Sequence, residues 1–126
     1  DTVTIIGDQA FLGCVSLQSL RLPNSLASIG RYSFSDSGLT EIEIPDLVTD
    51  IDGCAFSHCG SLRRIRFPAN AELEMGSQVC SNCDNLTTVE IPNGITSIPK
   101  CAFWECRALV TIQIPDSVVL IDDEAF

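Results

Sequence analysis

Residues 86–106 read LTTVEIPNGITSIPKCAFWEC, and the order of features in that stretch decides the fold. Val89 and Ile91 flank Glu90, an alternation of period two that predicts a short β-strand with one buried face. Pro92 lacks the N–H that a ladder needs, so it ends the strand and turns the chain. Ile95 and Ile98 then form a second apolar pair, and Phe103 and Cys106 follow. The same order extends outward in both directions. A run Leu-x-x-apolar-x-apolar-Pro occurs five times: Leu17 to Pro23, Leu39 to Pro45, Leu62 to Pro68, Leu86 to Pro92 and Leu109 to Pro115. An Ala-Phe pair returns at Ala10-Phe11, Ala55-Phe56, Ala102-Phe103 and Ala125-Phe126, with Ser33-Phe34 a close variant. A fixed period of 22 to 24 residues is the signature of a solenoid, in which each repeat touches only its neighbours.

Strands one repeat apart run in the same direction and predict a parallel sheet spaced at about 4.8 Å. The second apolar pairs are Leu26 and Ile29, Val48 and Ile51, Ile95 and Ile98, and Val118 and Ile121. They predict a returning wall of short extended segments, too brief and too β-branched for a long helix. A tight turn around Ala-Phe closes each coil, and Phe11, Phe34, Phe56, Phe103 and Phe126 are expected to stack as an aromatic spine. One repeat departs from the rule. After Pro68 the apolar pair shifts to Leu73 and Met75, and Val79-Cys80 replaces Ala-Phe. Two readings stand: an insertion tolerated in a surface loop, or a bulge shaped for a partner.

These residues carry a family resemblance. The pattern from Val89 through Cys106, and again from Ile112 through Phe126, is similar to the BspA-type (Treponema-type) leucine-rich repeat. The resemblance covers essentially the whole chain. It implies a leucine-rich-repeat solenoid, mostly β, of about five repeats over residues 1–126. Short parallel strands are expected on one face, short extended segments and turns on the other, and little or no regular helix. It also implies a cell-surface or secreted protein that acts in adhesion and protein binding. Function carries over from a fold only as analogy. Val3 and Ile6 occupy the positions of Leu26 and Ile29, and Phe126 falls mid-repeat. The expectation is an excerpt of a longer array, its ends covered by further repeats or by a partner subunit.

Composition limits the partners. The 45% hydrophobic content suffices for one continuous core, and no apolar run is long enough for a membrane span. The opening Asp1-Thr2-Val3-Thr4-Ile5 has no signal-peptide pattern. With 17 acidic against 7 basic residues, the net charge of -10 argues against nucleic acid and anionic membrane surfaces. A protein partner is therefore expected, without nucleic acid and without direct membrane insertion.

Seven cysteines raise the question of chemistry. Cys14, Cys59, Cys83 and Cys106 share one repeat position, where Ser37 stands in the second repeat. The resemblance implies that this position faces inward and bonds the turn backbone, giving a column of buried thiols. Cys59, Cys83 and Cys106 fall in consecutive repeats, near enough for one oxidised pair. Cys54 and Cys101 lie two repeats apart, too far to join. Cys80-Ser81-Asn82-Cys83 is a lone C-x-x-C, short of the four ligands of a zinc site and without the helix of a redox motif. His58, the single histidine, falls in the turn after Phe56 with no nucleophile in prospect. Asp50 and Asp52, and Asp122-Asp123-Glu124, lack the ligand spacing of a calcium loop and read as turn acids. Asn85-Leu86-Thr87 is a glycosylation sequon that matters only in a eukaryotic secretory pathway. No phosphate loop, catalytic carboxylate pair or nucleophile motif occurs, so neither an enzyme nor a cofactor is predicted.

The outward strand positions form the candidate protein-binding face. One column runs Ser19, Glu41, Arg64, Thr88, Thr111; the other runs Arg21, Glu43, Arg66, Glu90, Gln113. The second alternates in sign through four members, so neighbouring strands are expected to pair as a salt-bridge ladder. Trp104 should lie outside the aromatic spine, as a contact anchor or as cover for the neighbouring turn. The leading expectation is thus a non-enzymatic protein-interaction module. The alternative is a structural subunit bound stably within a large intracellular assembly, to which an odd number of cysteines and the open ends would be suited.

Overall fold

The computed structural model describes residues 2–126 as a succession of short walls wound into a β-solenoid of about five turns, with no helix among those residues. Nine strands follow one another in chain order: β1 (Ile5–Ile6), β2 (Ser28–Ile29), β3 (Glu41–Glu43), β4 (Asp50–Ile51), β5 (Arg64–Arg66), β6 (Glu74–Met75), β7 (Thr88–Glu90), β8 (Ser97–Ile98) and β9 (Leu120–Ile121). The strands before each Pro form one wall, in the order β3-β5-β7. The segments after each Pro form the return wall, as a four-stranded sheet β1-β2-β4-β6 and a separate pair β8-β9. All pairings are parallel and one repeat apart, as in Ile42↔Ile65↔Val89 and Ile6↔Ile29↔Ile51↔Met75.

Five strands were expected on the first wall, and three form. Ser19 to Leu22 and Thr111 to Ile114 run alongside without a regular ladder, although Thr40 N–H still donates to Gln18 O at 3.0 Å. The first and fifth turns are instead held by the return wall, through β2-β4 and β8-β9. The return wall in turn is interrupted between β6 and β8, at the repeat that departs from the pattern, while β5-β7 stays paired there. Each step of the coil therefore keeps at least one wall ladder.

A third ladder, at the Phe corner, is unbroken. Phe11 N–H donates to Ser33 O (2.7 Å), Phe34 to Ala55 O (2.8 Å), Phe56 to Val79 O (2.8 Å), Cys80 to Ala102 O (2.8 Å) and Phe103 to Ala125 O (2.7 Å). Two left-handed residues per turn bend the chain tightly enough for this. Gln9, Tyr32, Cys54, Gln78, Cys101 and Glu124 precede the Ala-Phe position, and Gly13, Asp36, His58, Asn82 and Glu105 precede the cysteine position, all with φ between 53° and 71°. The second set includes Gly, Asp, His and Asn, which tolerate this region best; Gln, Tyr and Cys in the first set give no such cue.

The core follows the inward periodicity: Leu39, Ile44, Ile51, Phe56, Leu62, Ile65 and Leu86 are wholly buried. The aromatic spine is split. Phe11, Phe34 and Phe56 stack at centroid distances of 5.0 and 5.2 Å, and Phe103 stacks on Phe126 at 5.7 Å. Cys80 occupies the level between them, fully buried. In the same turn Phe67, which stands where other turns carry Leu or Ile, is wholly buried and meets Phe103 edge-on at 6.1 Å.

Candidate protein-binding face

Alternation along the strands aims one residue in two at solvent, and parallel pairing puts equivalent residues side by side. Glu41, Arg64 and Thr88 are in register across β3, β5 and β7, as are Glu43, Arg66 and Glu90. Ser19 and Arg21 flank this patch on one side, Thr111 and Gln113 on the other, and all four are exposed. Behind them Ile42, Ile65 and Val89 are buried, which fixes the backbone that carries the face.

Of the ion pairs expected down the column, one forms, Glu43–Arg66 at 3.9 Å. Arg64, from the other column, takes Glu90 diagonally: its Nη2 donates to Oε1 and Oε2 at 3.0 and 3.1 Å, and its Nε to Oε1 at 3.2 Å. That contact raises the Arg64 pKa. Arg66 turns to Asp46 beyond Pro45, with Nη1 donating to Oδ1 at 3.1 Å, and approaches Glu43 only to 3.9 Å. Arg21 makes no ion pair among the described residues. The cause is reach: an Arg side chain spans more than one strand spacing, so it selects the best-fixed carboxylate within range rather than the one in register. Asp46 is such a group, because Ala69 N–H also donates to its Oδ1 at 2.9 Å. The Ala69 bond first, then the Arg66 bond, hold its carboxyl below the ordinary value. The sequence reading missed Asp46; its position directly after the strand-ending Pro was the available signal.

Where the strand ladder opens, grooves form. One of about 650 Å³ lies between the first-turn segment and β3, lined by Ser19, Arg21, Glu41, Glu43, Arg64 and Arg66 together with Asn24 and Asp46. Another of about 590 Å³ lies beyond β7, lined by Arg66, Glu90 and Gln113 with Asn93 and Asp116. Trp104 does not join this face. It is 40% exposed on the Phe corner, in a separate cleft with Arg107 and Phe126. Beside it Glu105 pairs with Arg107 at 2.6 Å.

The departing repeat is tied down rather than loose. Asn70 Nδ2 donates to Asp46 O (3.1 Å) and Val48 O (3.4 Å), and Asn70 Oδ1 accepts from Glu72 N–H (3.0 Å). His58 is exposed in its left-handed turn. Asp52 and Asp122 each accept from the next residue's N–H, at 2.6 and 2.7 Å, as turn acids do. Asn85 is exposed, with its Nδ2 on Gly60 O at 2.6 Å, and Leu86 is buried. Cys59, Cys83 and Cys106 are buried, whereas Cys14 is half-buried; Cys80 of the C-x-x-C lies in the Phe column, and burial pushes its thiol well up. Among the described residues no group of three or more His, Cys, Asp and Glu is placed to hold a metal ion, and no helix is long and apolar enough to cross a membrane.

Parallel coils of 22 to 24 residues, with buried Leu and Ile on both walls and a polar strand face, define a leucine-rich-repeat solenoid. The chain belongs to the BspA-type leucine-rich repeat family: the BspA type leucine-rich repeat region matches in six copies, over residues 1–106 and 73–126. Among solved structures, a leucine-rich repeat protein from Bacteroides ovatus is 34% identical with a TM-score of 0.91, covering 98% of this chain and 32% of its own. The leucine-rich repeat protein of T. pallidum is 28% identical with a TM-score of 0.67, covering 94% of this chain and 67% of its own. A leucine-rich cell surface protein from Faecalibacterium prausnitzii shares the fold at 22% identity and a TM-score of 0.56, with 100% of this chain and 49% of its own covered. The chain thus spans about a third of the length of the B. ovatus protein. A comparison with curated proteins gave no match. The family's repeats are protein-interaction modules, typically non-enzymatic binding scaffolds.

Proposed function

We propose that the chain is a non-enzymatic protein-binding module of a cell-surface or secreted adhesion protein, and that its strand wall is the contact surface. The observation that carries this reading is the strand wall itself: a polar, charged, regular face on a rigid backbone, opening into a groove on each side. Solenoids present extended surfaces of this kind to partners. The residues assigned to contact are Ser19, Arg21, Glu41, Glu43, Arg64, Arg66, Thr88, Glu90, Thr111 and Gln113, with Trp104 as an anchor for a second contact on the neighbouring corner. The surface location draws support from the F. prausnitzii neighbour. One observation favours a second reading, a subunit of an intracellular assembly: all seven cysteines are unpaired in the structure.

The test uses three immobilised baits: the chain, a strand-wall variant (Glu41→Ala, Arg64→Ala, Thr88→Ala) and a return-wall variant (Ser28→Ala, Ser97→Ala). Each is exposed to surface extracts and to cytosolic lysate of the source, and the captured proteins are identified. Proteins held by the first and third baits but lost by the second support the assigned face. Equal capture by all three would remove it, and capture confined to the cytosolic lysate would favour the intracellular assembly.

A further inference from the structure

The position three residues after each Phe builds a column along the coil, and the column is chemically continuous. Ser37 Oγ and Cys59 Sγ lie 3.4 Å apart on successive turns. Cys59 Sγ donates to Phe34 O at 3.0 Å, Cys83 Sγ to Phe56 O at 3.2 Å and Cys106 Sγ to Cys80 O at 3.1 Å, so each thiol leans toward the turn before it. Cys83 stands in the turn between those of Cys59 and Cys106; its Sγ reaches a carbonyl on the Cys59 turn, as the Cys106 Sγ reaches one on the Cys83 turn. Parallel turns hold equivalent Cα atoms about 5 Å apart, within the roughly 4.4–6.8 Å that a disulfide spans.

We propose that Cys83 is the shared member of a turn-to-turn disulfide, formed with either Cys59 or Cys106 and never with both at once. The oxidant is a small disulfide such as glutathione disulfide. Cys106 is the member reached from solvent, because it lines the cleft with Trp104 and Arg107. A hydrogen bond from Cys83 lowers the Cys106 thiol from its ordinary value. The Cys106 thiolate attacks one glutathione sulfur, the S–S bond breaks, and one glutathione leaves with the electron pair. Cys83 then gives its proton to the departing thiolate, attacks Cys106 sulfur in the mixed disulfide and expels the second glutathione. Two protein thiols are oxidised by two electrons, and one glutathione disulfide becomes two glutathione thiols. Cys59 stands in the turn on the far side of Cys83. A Cys59 thiolate attacking the Cys83 sulfur displaces Cys106 as thiolate and moves the disulfide one turn along.

The test incubates the full chain with glutathione disulfide, removes it, caps free thiols and reads the intact mass. Ser37 already occupies the column, so serine replacements are accommodated there. Wild type should lose two hydrogens and cap five thiols. Cys59→Ser should form the cross-link at the wild-type rate, Cys106→Ser more slowly, and Cys83→Ser not at all. A cross-link that persists in Cys83→Ser, or a wild-type chain that stays fully reduced, would overturn the assignment.

Discussion

Two buried serines, two residues apart, should respond to the same substitution with opposite signs. Ser33 is wholly buried, and its Oγ has no hydrogen-bond partner. The adjacent turns carry Ala10 and Ala55 at the same position, so a methyl group fits the column without adjustment. The backbone bonds there, Phe11 N–H to Ser33 O and Ser33 N–H to Gly30 O, do not involve the hydroxyl. A buried polar group without a partner costs about 1–3 kcal/mol, so Ser33→Ala should stabilise by ~1–2 kcal/mol. For a chain of this size that is a rise in Tm of roughly 3–8 °C. Ser35 is also buried, but its Oγ bonds Ser57 Oγ at 2.9 Å, and Ser57 Oγ donates onward to Cys54 O at 3.1 Å. Ser35→Ala removes that link and should destabilise by about 0.5–1.5 kcal/mol. Urea unfolding followed by Trp104 fluorescence, with the slope held constant, measures both. A loss of stability in Ser33→Ala would show that the hydroxyl is satisfied, by a buried water for instance. A gain in Ser35→Ala would refute the claim that the serine pair holds successive turns together.

Phe56→Ala removes a ring stacked at 5.2 Å on Phe34 and should cost about 3–5 kcal/mol in the same assay; an unchanged midpoint would dismiss the buried stack. Asp46→Ala frees both Arg66 and the Ala69 N–H, so it should lower Tm more than Glu43→Lys, whose side chain is 67% exposed and 3.9 Å from Arg66. The reverse order would restore the in-register ladder. Asp50 is raised from its ordinary 3.8 by burial first, then by Asp52 and Glu74. A raised carboxyl favours the folded state when protonated, and that contribution is lost as pH rises through the raised value. Asp50→Asn should therefore raise Tm at neutral pH, with the gain shrinking to nothing as pH falls below the ordinary value. A gain that persists in acid would assign the effect to something other than charge.

Much of the architecture was legible because the repeat states it many times over. Ile42, Ile65 and Val89 read as inward from alternation alone, and they are buried. The Pro after each strand and the return wall at Ile29, Ile51 and Ile98 follow the same logic, whereas the inward cysteines were implied by the family resemblance. The left-handed residues at Gln9, Tyr32 and Cys54 were not legible, because such side chains carry no preference for that conformation; the ladder at the Phe corner imposes it. The edge-on meeting of Phe67 with Phe103 was also hidden, since the two residues lie in different turns and only packing relates them.

For the candidate face, the sequence named the outward residues and the structure chose their partners. Position along a strand fixes which side a residue faces, since the pleat has a period of two and every repeat restarts it. The sequence by itself therefore determined the solenoid, its pitch and the contents of each column. It did not determine which walls pair at each step, that Arg64 takes Glu90, that Arg66 takes Asp46, or that the Cys83 thiol donates to Phe56 O on the turn before it. Those contacts join residues twenty or more positions apart, and long side chains choose among several partners within reach. Only the distances between turns, set when the coil closes on its core, decide them.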